Sequence, residues 1–262
     1  MKTLRFLFRL FLFVLLTAIT QIGGILYLLT LMFFGNKKLG KYLYFFGIYF
    51  IFTYLIVPNI APFFGRERII TTDVIESQSI FYSLANRNYV RPEMNVLLAD
   101  IASEFNKKHP KAKIFYLDAN FPFLNKFPLL PHLSHNDGKK LDISLIYETD
   151  GIITNKKPSV SGYGVFEGPK PKEYNQIKKC KSTGSWQYDI QKYMTFGSIN
   201  KDILFSEKGT KSLMNAILKQ PAIGKVFIEP HLKHRLGLKH EKIRFHGCQA
   251  VRHDDHIHLQ LK

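Results

Sequence analysis

The chain has 262 residues, a formal charge of +17 and two cysteines. That length admits one large domain or a domain with an appendage, and two cysteines without a C-x-x-C pair exclude a disulfide-dense scaffold and a thiolate zinc finger. Charge is unevenly spread: residues 1–64 carry Lys2, Arg5, Arg9, Lys37, Lys38 and Lys41 and no acidic residue, while the remainder keeps a basic excess that suits an anionic partner or solubility beside an anionic bilayer.

Leu10 to Phe34 is an almost unbroken apolar run, with Gln21, Gly23 and Gly24 as its main interruptions. Roughly 20 apolar residues suffice to cross a bilayer core. A polar break from Gly35 to Lys41 follows, and Tyr42 to Phe64 then runs without a charge, frayed by Pro58 and Pro62. Two transmembrane helices in a hairpin are therefore expected within residues 1–65, with residues 10–64 as the contact with the bilayer. A cleaved signal peptide is the competing reading, but the stretch is too long, no A-x-A-like site follows, and a second apolar segment comes directly after. Such a hairpin places the N-terminus and the rest of the chain on one side. Three basic residues at each end then balance, so charge counting does not orient it.

Residues 66–90 form a connecting segment and 91–262 a soluble domain. From Pro92, Met94, Leu97, Ile101 and Phe105 recur at helical spacing until His109-Pro110 ends the window. Lys113 to Leu117 predicts a strand, residues 119–134 a proline-broken loop, and Leu141 to Tyr147 a second strand that starts beside Asp142. Residues 150–180, rich in Gly, Lys and Pro, suggest a long surface loop that shapes a cleft or is simply disordered. Helical stretches are expected at 186–199 and 212–219, and strands at Lys225–Ile228 and His256–Leu261. This order of mixed short elements predicts an α+β fold, a mainly antiparallel sheet with flanking helices. Cys180 and Cys248 admit one disulfide or two separate thiols.

Two histidine clusters carry the chemistry: PHLSHNDGKKLDIS, with His132, His135 and Asp142, and VRHDDHIHLQLK, with His253, His256 and His258. Strand alternation puts His256 and His258 on one face, so one can bind a metal while the other faces the same cavity. His135 and Asp142 can converge on that ion because Gly138 lies between them for a turn. Two histidines and an aspartate leave a fourth position open for water, whose pKa zinc lowers to about 7, and a nearby imidazole can move its proton. HExxH is absent, and the 253, 256, 258 spacing does not fit the alternate histidines of histidine-triad nucleotide hydrolases. His109, His231, His234, His240 and His246 read as ordinary surface or core residues. Binding of nucleic acid would rest on charge alone and is not expected.

H-x6-D with a distant H-x-H resembles the lysostaphin, D-Ala-D-Ala peptidase and hedgehog-like zinc peptidases. The finer H-x2-H-x6-D and H-x2-H-x-H patterns, matched by His132, His135, Asp142 and by His253, His256, His258, resemble the penicillin-insensitive murein endopeptidase branch over roughly residues 90–262. That resemblance implies one zinc ion on His135, Asp142 and His258. It makes His256 the general base or transition-state stabiliser, with His253 and His132 in support. The implied activity is hydrolysis of peptide crosslinks in peptidoglycan, a membrane-anchored D,D-endopeptidase. A cell-wall substrate would place the domain outside the cytoplasmic membrane, facing the periplasm or the cell exterior. Two alternatives stand beside it. A D,D-carboxypeptidase or dipeptidase of the same superfamily would place a glutamate base where Asp255 stands, and a non-catalytic domain would bind zinc at the envelope.

Overall fold

The computed structural model describes residues 2–34 and 38–262. Helix α1 (Lys2–Thr20) is followed by α2 (Gly23–Phe34) and α3 (Lys38–Ile51), and the third helix continues through a π turn (Phe52–Ile56), α4 (Val57–Ile60) and a 3-10 turn (Ala61–Phe64). Of these, Lys2–Thr20 and Gly40–Phe64 are long and apolar enough to cross a membrane. The single first span expected over Leu10–Phe34 is corrected, because that run is two helices folded on each other.

The interruption at Gln21, Gly23 and Gly24 is the turn between them. Gln21 adopts a left-handed conformation (φ 66°). The Thr20 hydroxyl donates to Leu16 O and accepts from the Gly23 N–H. A Cβ on Gly24 would lie 1.9 Å from Thr17 Oγ1 and 2.6 Å from Phe13 O, so only glycine permits this crossing. α2 then returns along α1 past Arg9, which lies within electrostatic reach of Tyr27. It also packs antiparallel on α3 through Tyr27–Phe45 (6.4 Å) and Phe34–Tyr44 (4.7 Å) ring contacts. With three legs rather than two, the N-terminus and the domain lie at opposite ends of the bundle, contrary to the same-side expectation. Of the polar break, Gly35, Asn36 and Lys37 lie outside the described residues.

Residues 66–90, expected as a connecting segment, supply β1 (Glu67–Arg68) and β2 (Ile75–Ser77), and β2 pairs with Ile114–Tyr116 as part of the domain's own sheet. A one-and-a-half-turn helix, α5 (Ile80–Leu84), begins on its Ser79 N-cap, β3 (Tyr89–Val90) follows, and α6 spans Pro92–Lys108. Pro92 sits at the first turn, where its missing N–H costs nothing, and Met94, Leu97, Leu98, Ile101 and Phe105 form the buried stripe predicted from their spacing. Then come β4 (Ile114–Tyr116), β5 (Lys140–Ser144), β6 (Tyr147–Thr149), β7 (Ile152–Thr154) and α7 (Gln176–Ser182). A 3-10 helix (Trp186–Tyr193) stands where a longer helix was expected. The chain ends with β8 (Leu204–Phe205), α8 (Glu207–Leu218), β9 (Ile223–Phe227), α9 (Pro230–Arg235), β10 (Ile243–Arg244) and β11 (His256–Leu261).

The fold is α+β. A six-stranded sheet runs β10-β9-β11-β5-β4-β2, antiparallel at its centre and parallel at both edges. β6, β7 and β8 form a smaller antiparallel sheet. α6 and α8 supply core residues, with Leu213, Met214 and Ile217 of α8 buried among Leu98, Ile101, Leu141 and Ile257. The Cys180–Cys248 disulfide forms and ties α7 to the segment before His253. Residues 155–175 form the long loop expected, exposed or half-buried over most of its length, and its Ser159, Ser161 and Tyr163 are buried against the domain beside the site.

Candidate metal centre and cleft

Sheet register builds the centre. β5 and β11 pair so that Asp142 stands directly opposite His258 and Ser144 opposite His256, and directly opposed residues project from the same face. The loop after β4 brings in His135, whose Nδ1 lies 2.7 Å from the Ala119 carbonyl. With its N–H donated there, the ring presents a lone pair at Nε2. That atom lies 3.0 Å from His258 Nδ1 and 3.2 Å from Asp142 Oδ1, and the last two are 2.8 Å apart. All three residues are buried.

Atoms this close need a proton or a cation between them. Four ligands at about 2.0–2.2 Å in a tetrahedron have edges of about 3.3–3.6 Å, so this triangle is nearly one face of such a site, slightly contracted. The donor set fits a divalent metal with one position open.

Around this face stand groups that orient it. Asp142 spends its second oxygen accepting from Tyr163 Oη at 2.6 Å. Burial alone would raise the Asp142 pKa, but the imidazoles packed around it, His135 and His256 first, hold it well below the usual range. Burial, with the Asp142 charge beside it, pushes the Tyr163 phenol far up, so it stays a donor. His132 bonds through Nδ1 to Asp118 Oδ2 at 3.0 Å. Asp118 is clamped in turn by Arg87 Nε and Nη2, both at 2.6 Å.

His256 bonds through Nδ1 to Asp255, whose other oxygen accepts from the Gly164 N–H at 2.7 Å. Gly164 makes this turn at φ 81°, where a Cβ would lie 2.4 Å from Gln191 O. For His256, burial opposes the charged form, yet Asp142 and Asp255 outweigh it and raise its pKa to about 9. Burial lowers His258 to about 3, and burial together with the charges of His256 and His258 holds His253 well below its usual range. Glu229 fixes His253 by accepting its backbone N–H at 3.1 Å and donating its own N–H to the His253 carbonyl. The Nε2 atoms of His132, His256 and His258 are buried without a partner among the described residues.

The centre lies at the floor of a cleft of about 430 Å³, walled by Leu130, Pro131, Leu133, Ile190 and Val251. Every histidine singled out from the two clusters is thus brought to one place, with His253 and His256 rings 4.8 Å apart and His132 and His135 rings 5.5 Å apart. His246, read as ordinary, also lines the cleft, its ring 5.5 Å from that of His253. Asp118, Arg87 and Tyr163 carried no sequence signal, because each reaches the site from a segment remote from both clusters. Asp255 was visible beside His256, but its direction was not.

No family model matches this sequence, and no curated protein is significantly similar to it.

Proposed function

We propose that this chain is a membrane-anchored zinc peptidase that hydrolyses peptide crosslinks in peptidoglycan, in the manner of a D,D-endopeptidase. The observation that carries this reading is the convergence of His135 Nε2, Asp142 Oδ1 and His258 Nδ1 on one point, beside imidazoles whose Nε2 atoms are unpartnered. A zinc ion bound there supplies a water of lowered pKa and polarises a carbonyl. The remaining work falls to the chain's own side chains. His256, held through Nδ1 by Asp255, presents its unpartnered Nε2 to the oxygen that gains charge as the carbonyl is attacked. His132, with its Nδ1–H committed to Asp118, takes the water's proton at Nε2 and returns it to the leaving amine. Asp255 holds His256 rather than facing the cleft, since both its oxygens are occupied. This disfavours the carboxypeptidase and dipeptidase alternative, which needs a free carboxylate base there.

Two features support a domain facing the periplasm or cell exterior. Lys2, Arg5, Arg9 and Lys41 gather at the end of the bundle away from the domain, the pattern of a cytoplasmic end. The Cys180–Cys248 disulfide suits an oxidising compartment. Comparing cleavage of a crosslinked muropeptide dimer with that of a free pentapeptide tests the substrate. The dimer is expected to be cut and the pentapeptide spared. The reverse preference would reject the endopeptidase reading.

A further inference from the structure

The domain does not sit on the tip of the third helix; it is docked along its flank. Tyr49 Oη donates to the Leu84 carbonyl at the end of α5, Asn86 Nδ2 donates to Thr53 Oγ1 at 3.4 Å, and Arg68 donates to the Thr53 carbonyl while stacking over Tyr54. Further along, Phe64 packs on Phe123 with ring centroids 5.1 Å apart, and the Phe123 N–H donates to Gln21 Oε1 at 3.0 Å, in the turn between α1 and α2. Tyr49 and Phe64 are separated by about 22 Å of helix. The part of Gly40–Phe64 clear of these contacts is Gly40–Ile48, and lipid around that part would meet this flank of the domain where the contacts begin at Tyr49.

Several large apolar side chains are exposed on the segments next to these contacts. Ile80 on α5, Leu124 next to Phe123, and Leu130 and Leu133 on the lip of the cleft are each more than half exposed. So is Phe196, whose ring packs on Phe81 of α5 at 5.3 Å. The lip segment, residues 119–134, contains no acidic residue and one lysine, Lys126, which is exposed. Large exposed side chains flanked by a cation, continuous with membrane-crossing helices, match the composition of an interfacial surface. The same lip is fastened to the site: Arg87 donates to the Leu130 carbonyl and clamps Asp118, which holds His132.

We infer that this flank rests in the headgroup region of the bilayer, so that the cleft opens at the lipid surface and takes peptides anchored there. The bilayer half of the proposal stands on its own; the substrate half rests on the peptidase reading. Full-length protein in phosphatidylethanolamine–phosphatidylglycerol liposomes tests the first half, with acyl chains brominated close to the headgroup. In a Trp186→Phe background, Leu124→Trp and Leu133→Trp are expected to lose most of their fluorescence. Ile152→Trp is expected to keep it, since Ile152 lies beside His109 at the far end of α6. Unquenched emission at 124 and 133 overturns the proposal, and a detergent-stable dimer broken by Leu124→Asp would then assign the patch to a second copy. For the second half, the same crosslinked peptide is offered free and on a lipid anchor. Faster turnover of the anchored form is expected, with the ratio lowered by Ile80→Ser and Leu124→Ser; equal rates in the unmodified protein overturn it. If neither form is cut, the peptidase reading fails, and the quenching result still decides whether the flank meets the bilayer.

Discussion

Replacing Asp118 by asparagine removes a charge while keeping a side chain of the same shape. Asp118 is buried with Arg87 against it through two 2.6 Å bonds and His132 through one of 3.0 Å. After Asp118→Asn, the Arg87 guanidinium stays buried with no compensating anion, and breaking one side of such a pair costs roughly 3–5 kcal/mol. In a domain of about 200 residues each kcal/mol lowers Tm by about 2–4 °C, which gives a fall of roughly 6–20 °C. The assay is thermal unfolding of full-length protein in detergent, across pH. Although burial alone would raise the Asp118 pKa, Arg87 and His132 hold it below its usual value. Its stabilising contribution is therefore complete above the unfolded value of about 3.9 and is lost as pH falls through the lower folded value. The gap between the two proteins should be constant from neutral pH down to about 5 and close below about 4. A fall of less than about 2 °C at neutral pH, or a gap that widens with acid, would refute the assigned ion pair.

Other outcomes follow from the site. His256→Ala should keep its metal and lose turnover by about 10²–10⁴-fold, the range for a missing proton-transfer or charge-stabilising group; normal turnover, read by a peptide-release assay, would remove His256 from the chemistry. Tyr163→Phe should weaken metal affinity about 10–100-fold, because Asp142 loses the donor that orients it, and competition with a chromogenic chelator measures it. Replacing Cys180 and Cys248 by serine together opens a loop whose ends are 68 residues apart, a loss of about 4.4 kcal/mol by the chain-entropy relation. Denaturant titration should show it as a lower midpoint, and an unchanged midpoint would show that the bridge adds no stability.

Much of the domain was legible where one physical rule dominates. The α6 stripe follows from burial on one face and matched, and β11 formed over the expected residues, although it is buried on both faces. The metal triad was legible because its members lie in tight clusters next to strands. What could not be read depends on contacts between remote segments. Nothing local to Tyr163 tells it from any other tyrosine in a Gly-rich stretch; it matters because Gly162 and Gly164 turn the chain beneath Asp142. Arg87 and Asp118 lie 31 residues apart. The fold-back at Gln21 escaped hydropathy because both sides of it are apolar, and its signal was the packing of Gly24 on Thr17. That turn reverses the relation between the N-terminus and the domain, and it lets the basic ends agree instead of cancelling.

The most direct measurement takes full-length protein in detergent, because the bundle is docked on the loop that carries His132 and His135. Metal content is determined alongside digestion of purified murein sacculi, with Asp142→Ala as the paired control. One equivalent of zinc with loss of crosslinked dimers is expected, and both should vanish in the control. A protein that binds no metal, or whose Asp142→Ala form digests sacculi equally well, would contradict the assignment of His135, Asp142 and His258 as the catalytic centre.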